Sequence, residues 1–313
     1  MSRILASAIS MALVLSACAP AVDPEALLND LASTDVEARL EAGQKVDKMI
    51  ASGDYEVFVR GLKSASLLNR AQSIVLLARV DRPEARKALR QLLAVDSRMM
   101  LPFNPIRMRP ASESSDSRIL VANLIQRQGG DQEAIKVLLA GAGEAESVEV
   151  LTGTCFAIGA LRDPAGIGFL DQATHHADVA VVRAAVQALG QFKEPEAAAS
   201  LGRLVTHPNL QVRTDLLTAI GGRDDPASID LVKRMGQSDP APDLRVAAFQ
   251  YLANSKSDDI VPYLIDRLKD ASPEARPVLT NILAQLTKQS LGPRPEAWEQ
   301  WWARHGTGAR PAR

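Results

Sequence analysis

The chain has 313 residues, 46% of them hydrophobic but only 4% aromatic. That is enough apolar material for a core, yet too few large rings for one globular core built around them; the abundant alanine, leucine and valine suit closely packed helices. A formal charge of -1 argues against a general nucleic-acid binder, whose domains are strongly basic.

The first stretch, "MSRILASAISMALVLSAC", has one positive residue, Arg3, and then twelve uncharged residues from Ile4 to Leu15. Twelve residues are too few to span a bilayer of roughly 30 Å as a helix. The run ends in Leu15-Ser16-Ala17-Cys18, and the whole segment resembles a bacterial lipoprotein signal peptide, residues 1–17. The resemblance implies cleavage before Cys18 and lipid attachment to it, and several acyl chains anchor stably where one is marginal. Ala19, where an aspartate would favour inner-membrane retention, implies an outer-membrane protein facing the periplasm if the host is Gram-negative. Removal of Arg3 leaves 35 basic against 37 acidic residues, and the tether, 18–23, is very short.

From Pro24 on, the chain reads as a repeat. Pro164, Pro195 and Pro226 are each 31 residues apart and each follows an acid ("RDPAGI", "KEPEAA", "DDPASI"); Pro24 ("VDPEAL") and Pro83 ("DRPEAR") open segments of similar form. Proline is tolerated in the first turn of a helix, where its missing N–H has no partner to lose. A second signal is an arginine inside the following helix: Arg39, Arg70, Arg118, Arg183, Arg213, Arg245 and Arg276, at spacings of 31, 48, 65, 30, 32 and 31. The 65 is two repeats with Leu151 in the empty place; the 48 is one repeat plus 17 residues. Apolar residues follow at helical spacing, such as Val186 and Leu189, or Leu216, Leu217 and Ile220. Two such short helices cannot bury their apolar faces alone and must stack on neighbours.

A proline-started helix, a turn and a "D-x-x-V-R-x-x-A-x-x-A-L-G" helix resemble the HEAT repeat in its bacterial HEAT-like form, also found in bilin lyases; "DVAVVRAAVQALG", 178–190, is the best match. The resemblance spans about residues 24–290 as eight repeats. It implies an all-α fold, a right-handed, armadillo-like α-solenoid whose second helices line the concave face. It further implies that the repeated arginines bridge to acids in neighbouring turns, for which Asp35, Asp116, Asp178 and Asp243 are at hand.

The extra residues of the third repeat are "SRMMLPFNPIRMRP" and its return "ASESSDS", an insertion over 97–115. Pro102, Pro105 and Pro110 exclude a continuous helix, and the serine-rich return reads as flexible. Arg98, Met99, Met100, Phe103, Ile106, Arg107, Met108 and Arg109 form a candidate binding loop, since adaptable methionine beside arginine suits peptide-binding surfaces. Arg86, Lys87 and Arg90 make a basic helix leading into it; Arg79 to Arg109 holds eight basic residues against three acids. Three roles stand open for the insertion: covering its own scaffold, binding a partner, or contacting a membrane or second copy.

Trp298, Trp301 and Trp302 share one stripe of a C-terminal helix, 291–305, read as a hydrophobic cap, with an exposed ring platform as the alternative. The tail, 306–313, is read as disordered. Cys155, on an apolar stripe, reads as a small buried hydrophobe. His175, His176 and His207 fall in inter-helix turns with no carboxylate pattern to complete a metal site. No phosphate loop, metal-ligand pair or nucleophile elbow occurs. The expectation is therefore no metal, no cofactor and no catalytic residue. The chain is read as a membrane-tethered scaffold for an envelope protein or an anionic polymer, without nucleic acid; an enzyme or enzyme accessory related to the bilin lyases is the alternative.

Overall fold

The computed structural model describes residues 22–94, 100–104, 109–142, 147–221, 223–255 and 257–306, with only the backbone described for 100–104 and 109–117. It divides into two compact units, Met1–Gln128 and Gly129–Arg313.

The first unit holds three helix pairs: α1 (Pro24–Leu31) with α2 (Val36–Ser52), α3 (Glu56–Gly61) with α4 (Leu67–Leu77), and α5 (Pro83–Gln91) with α6 (Ser117–Arg127). Prolines open α1 and α5, as their restricted backbone and missing donor allow. The Asp23, Asp35 and Ser66 side chains accept backbone N–H bonds at the starts of α1, α2 and α4. Leu28, Phe58, Ile74, Leu77 and Leu89 are among the buried side chains of the stack. Its polar tie is Asn69, buried in α4, whose Nδ2 donates to Glu25 Oε2 at 2.8 Å and Asn29 Oδ1 at 3.0 Å.

Between α5 and α6 lies an antiparallel hairpin, β1 (Met100–Asn104) and β2 (Arg109–Asp116). Met100 pairs with Asp116 and Asn104 with Arg109, and the register is irregular between Leu101 and Phe103. The flexible return expected from "ASESSDS" is corrected here: its backbone is the second strand. Prolines bar the helix but tolerate extended backbone, and pairing with β1 supplies the hydrogen bonds that serine-rich sequence alone does not suggest. The hairpin decorates one turn and leaves the all-α architecture intact.

The second unit holds five pairs: α7 (Gln132–Ala142) with α8 (Val148–Leu161), α9 (Ile167–Ala173) with α10 (Val179–Leu189), α11 (Pro195–Arg203) with α12 (Leu210–Gly221), α13 (Pro226–Ser238) with α14 (Pro242–Leu252), and α15 (Ile260–Lys269) with α16 (Ala275–Thr287). A 3-10 turn at Pro164–Gly166 leads into α9. The final helix, α17 (Pro295–His305), packs on α15. Second helices touch in order, α8 on α10, α10 on α12, α12 on α14 and α14 on α16, the nearest-neighbour packing of an α-solenoid. Glycine permits the closest approaches: a Cβ on Gly159 would sit 2.9 Å from Ala188 Cα, and one on Gly190 2.8 Å from Ala219 Cβ. The apolar residues picked out by helical spacing, Val186, Leu189, Leu216, Leu217, Ile220, Phe249 and Leu252, are all buried.

Candidate functional site

The inter-helix turns follow one design. In five of the turns a side chain two residues before the second helix's N-cap accepts the N-cap N–H: Ser33 Oγ from Asp35 at 3.1 Å, Ser64 Oγ from Ser66 at 3.1 Å, His176 Nδ1 from Asp178 at 3.0 Å, His207 Nδ1 from Asn209 at 3.2 Å, and Asp239 Oδ1 from Ala241 at 2.8 Å. The turn histidines thus do the work of serine or aspartate elsewhere in the repeat. His175 Nδ1 lies 2.9 Å from Asp171 O. Among the described residues no cluster of three or more metal-binding side chains occurs.

Four residues after the N-cap, an arginine reaches back over the same turn. Arg39 donates to Ser33 O at 2.7 Å, Arg70 to Ser64 O and Ala65 O, Arg213 to His207 O at 2.8 Å and Pro208 O at 3.2 Å, and Arg245 to Asp239 O at 2.6 Å. Arg276 donates to Ala271 O at 3.1 Å. These carbonyls have no helical partner, and a charged donor satisfies them well.

The expected acid ladder is therefore corrected. The Asp35 and Asp178 side chains cap their own helices, Asp243 lies in the first turn of α14, and the side chain of Asp116 lies outside the described residues. Among the described residues, the acids that these repeated arginines bridge to are Asp239 and Asp215, which sequence reading missed. Arg213 grips Asp239 bidentately, Nε to Oδ2 at 2.8 Å and Nη2 to Oδ1 at 3.1 Å, with the two side chains 6% and 0% exposed. Arg183 is no member of the ladder: it stands five residues after Asp178, and Val182 holds the ladder position. One residue turns a helix by about 100°, so Arg183 misses its turn and bonds Asp215 Oδ2 at 2.6 Å. The 30-residue spacing to Arg213, one short of 31, was the signal.

On α5, Arg86 and Lys87 are exposed and Arg90 is half-buried. Arg86 pairs with Asp81 at 2.7 Å, and Arg79 upstream pairs with Asp47 at 2.8 Å, so part of the positive charge is neutralised locally. Of the candidate loop, Arg98, Met99, Ile106, Arg107 and Met108 lie outside the described residues, and Met100, Phe103 and Arg109 are placed by backbone alone, on β1 and β2. Cys18 and the signal segment also lie outside them, as does the tail beyond Gly306.

At the other end, Trp298 is fully buried and its Nε1 donates to Gly292 O at 2.7 Å. Trp301 and Trp302 are half-buried; Trp301 meets Trp298 edge-on at 6.5 Å and stacks on His305 at 5.5 Å. Lys269 on α15 pairs with Glu299 on α17 at 2.7 Å. Cys155 is buried, and burial pushes its thiol up to about 12, far from a nucleophile's range.

One feature of the second unit emerges only when helices are aligned on their N-caps. Nine residues after the N-caps Asp178, Asn209 and Ala241, and nine after Ser272, whose Oγ accepts the Ala275 N–H at the start of α16, stand Gln187, Thr218, Gln250 and Asn281, all exposed. On successive, touching second helices they form an uncharged row of carboxamides and one hydroxyl. Thr218 Oγ1 donates to Thr214 O at 3.0 Å, which leaves it an acceptor toward solvent.

The family described as HEAT repeats matches residues 168–252, the span from α9 through α14. That span of the chain consists of HEAT repeats. Among solved structures, an engineered protein shares 19% identity at a TM-score of 0.38, covering 92% of this chain and 85% of that one. The complex of CpcE and CpcF of phycocyanin lyase from Nostoc sp. PCC7120 shares 18% identity at a TM-score of 0.35, covering 86% of this chain and 96% of that one. No curated protein matches the chain. The HEAT repeats make it a helical repeat scaffold, with Arg39, Arg70, Arg213, Arg245 and Arg276 bonding the backbone of its inter-helix turns.

Proposed function

We propose that this HEAT-repeat protein is a non-enzymatic scaffold, tethered to a bacterial envelope membrane through lipid on Cys18, that holds an extended segment of another envelope protein. The observation that carries this reading is the exposed row Gln187, Thr218, Gln250 and Asn281. Packed helices lie about 8–10 Å apart, and three residues of extended chain span about 10 Å. Each rung therefore meets one backbone amide group of an extended partner in every three residues. Carboxamides both donate and accept, as a peptide backbone requires. An uncharged row favours a polypeptide over an anionic polymer, which would call for cations.

The insertion at 97–115, carried on a hairpin in one inter-helix turn, is proposed as a second contact, as insertions in repeat proteins map to loops on one face. Tethering rests on the signal-like segment ending at Cys18, and Ala19 favours the outer membrane. Among the described residues no helix is long and apolar enough to cross a membrane, so attachment falls to the lipid. Affinity purification from wild-type and Cys18→Ala cells, with fractionation and mass spectrometry, tests the reading. Wild type fractionates with membrane and the variant does not; equal membrane association of both overturns the tether.

A further inference from the structure

Among the described residues three large hydrophobic side chains are exposed: Val36 at 67%, Leu40 at 61% and Leu210 at 52%. Val36 and Leu40 belong to the first helix pair and stand one turn apart on one face of α2. We propose that these two side chains dip into the headgroup boundary of the membrane and fix the orientation of the first unit on it, a reading that rests on the lipid tether at Cys18 proposed above.

The first observation is reach. Arg60 Nη2, on α3, donates to Val22 O at 3.1 Å and fastens the chain to the folded unit there. Four residue steps separate Val22 from Cys18, at most about 14 Å of extended chain. The eight residues of α1 measure about 12 Å. A lipid on Cys18 therefore keeps the first pair within about one helix length of the surface, and the start of α2 is in reach.

The second is the chemistry of α2. Its core side is Ala42, Val46 and Met49, and Val36 and Leu40 point away from it. The first pair of a solenoid has a neighbour on one side only and is expected to be polar where it is left open; two bare aliphatic side chains break that rule. The charges of α2 balance, Glu37, Glu41 and Asp47 against Arg39, Lys45 and Lys48. Charge therefore neither draws this helix to an anionic surface nor repels it, and apolar contact decides.

The third is magnitude. A specific protein interface buries at least about 1,200 Å², far more than two aliphatic side chains supply, which argues against a second copy held by this patch. A tethered body needs much less. The lipid already holds it at the surface, so the contact is intramolecular and needs little affinity of its own. Burying one aliphatic side chain shifts such an equilibrium by about tenfold or more.

The test uses the full lipidated chain in phosphatidylcholine vesicles, with and without phosphatidylglycerol. Cys155 is buried and Cys18 carries the lipid, so an introduced cysteine is the accessible thiol for a nitrobenzoxadiazole label. Labels at Val36→Cys and Leu40→Cys are expected to shift to the blue and to be quenched by brominated acyl chains in both vesicles. A label at exposed Lys45→Cys, half a turn round α2 from Val36, does neither. Adding Leu40→Asp lowers the ratio of inserted to free label at position 36 by about tenfold. Vesicle flotation separates the two readings. A chain that does not float overturns the tether and the insertion together; one that floats while both labels stay in water overturns the insertion alone. Blue shifts without bromolipid quenching, the signature of a second copy over the patch, also overturn it. So does equal quenching at all three positions, or quenching that depends on phosphatidylglycerol.

Discussion

Asp239 shows how much one residue can carry in a repeat. Its carboxylate takes both arms of Arg213, its Oδ1 also accepts the Ala241 N–H, and its carbonyl receives Arg245. Removing one partner of a buried pair leaves an uncompensated charge, so Arg213→Ala destabilises the protein by about 3–5 kcal/mol in urea titration. Arg183→Ala, whose pair with Asp215 is partly exposed, costs less than about 1 kcal/mol. Equal losses would contradict the distinction between ladder and non-ladder arginines. The arginines were legible as a period, but their partners were not. A spacing of 31 says which residues are equivalent, not whether a guanidinium reaches a carbonyl or a carboxylate.

Acid sensitivity belongs to the same scale. The Ser200 hydroxyl, more than the Arg203 guanidinium, holds the Asp171 carboxyl below its ordinary 3.8. At Asp225 burial pushes upward, but the Ser228 N–H and the Arg223 guanidinium outweigh it and the carboxyl is lowered. A carboxyl depressed on folding contributes stability above its unfolded value, lost as pH falls through the folded one. Thermal melts should therefore hold level down to about pH 4 and fall below it. Asp225→Asn should flatten that acid limb; an unchanged limb would contradict the assignment.

Among the elements, the second helices are held by close approach. Gly190→Val should destabilise through its clash with Ala219. Gly43→Ala, inside α2 with nothing within 4 Å of the added Cβ, should stabilise by about 1 kcal/mol through helix propensity. Denaturant midpoints shifting in the same direction for both would refute this. Helix starts were well marked, because a proline behind an acid is a local signal: Pro24, Pro164, Pro195 and Pro226 each open a helical turn, as does Pro83 behind Asp81-Arg82. The hairpin was not, since β1 and β2 are separate segments and pairing between them leaves no period in either. Trp298 was legible as part of a stripe, but only packing separates it, fully buried, from the half-buried Trp301 and Trp302.

At the scale of the whole molecule, repetition turns weak local features into a surface. The row Gln187, Thr218, Gln250 and Asn281 went unnoticed in sequence because amides and a hydroxyl carry no catalytic or charge signature. Counting from the N-caps, which the structure supplies, brings them into register. On the proposed function, this row contacts a polypeptide partner. Site-specific photo-crosslinking in cells tests it most directly, with benzoylphenylalanine placed in turn at Gln187, Thr218 and Gln250, and at exposed Gly168 on the first helix α9 as the comparison. One shared crosslinked protein is expected at the three row positions, and none at Gly168. Crosslinks equally strong at Gly168, or none at any row position, would contradict it.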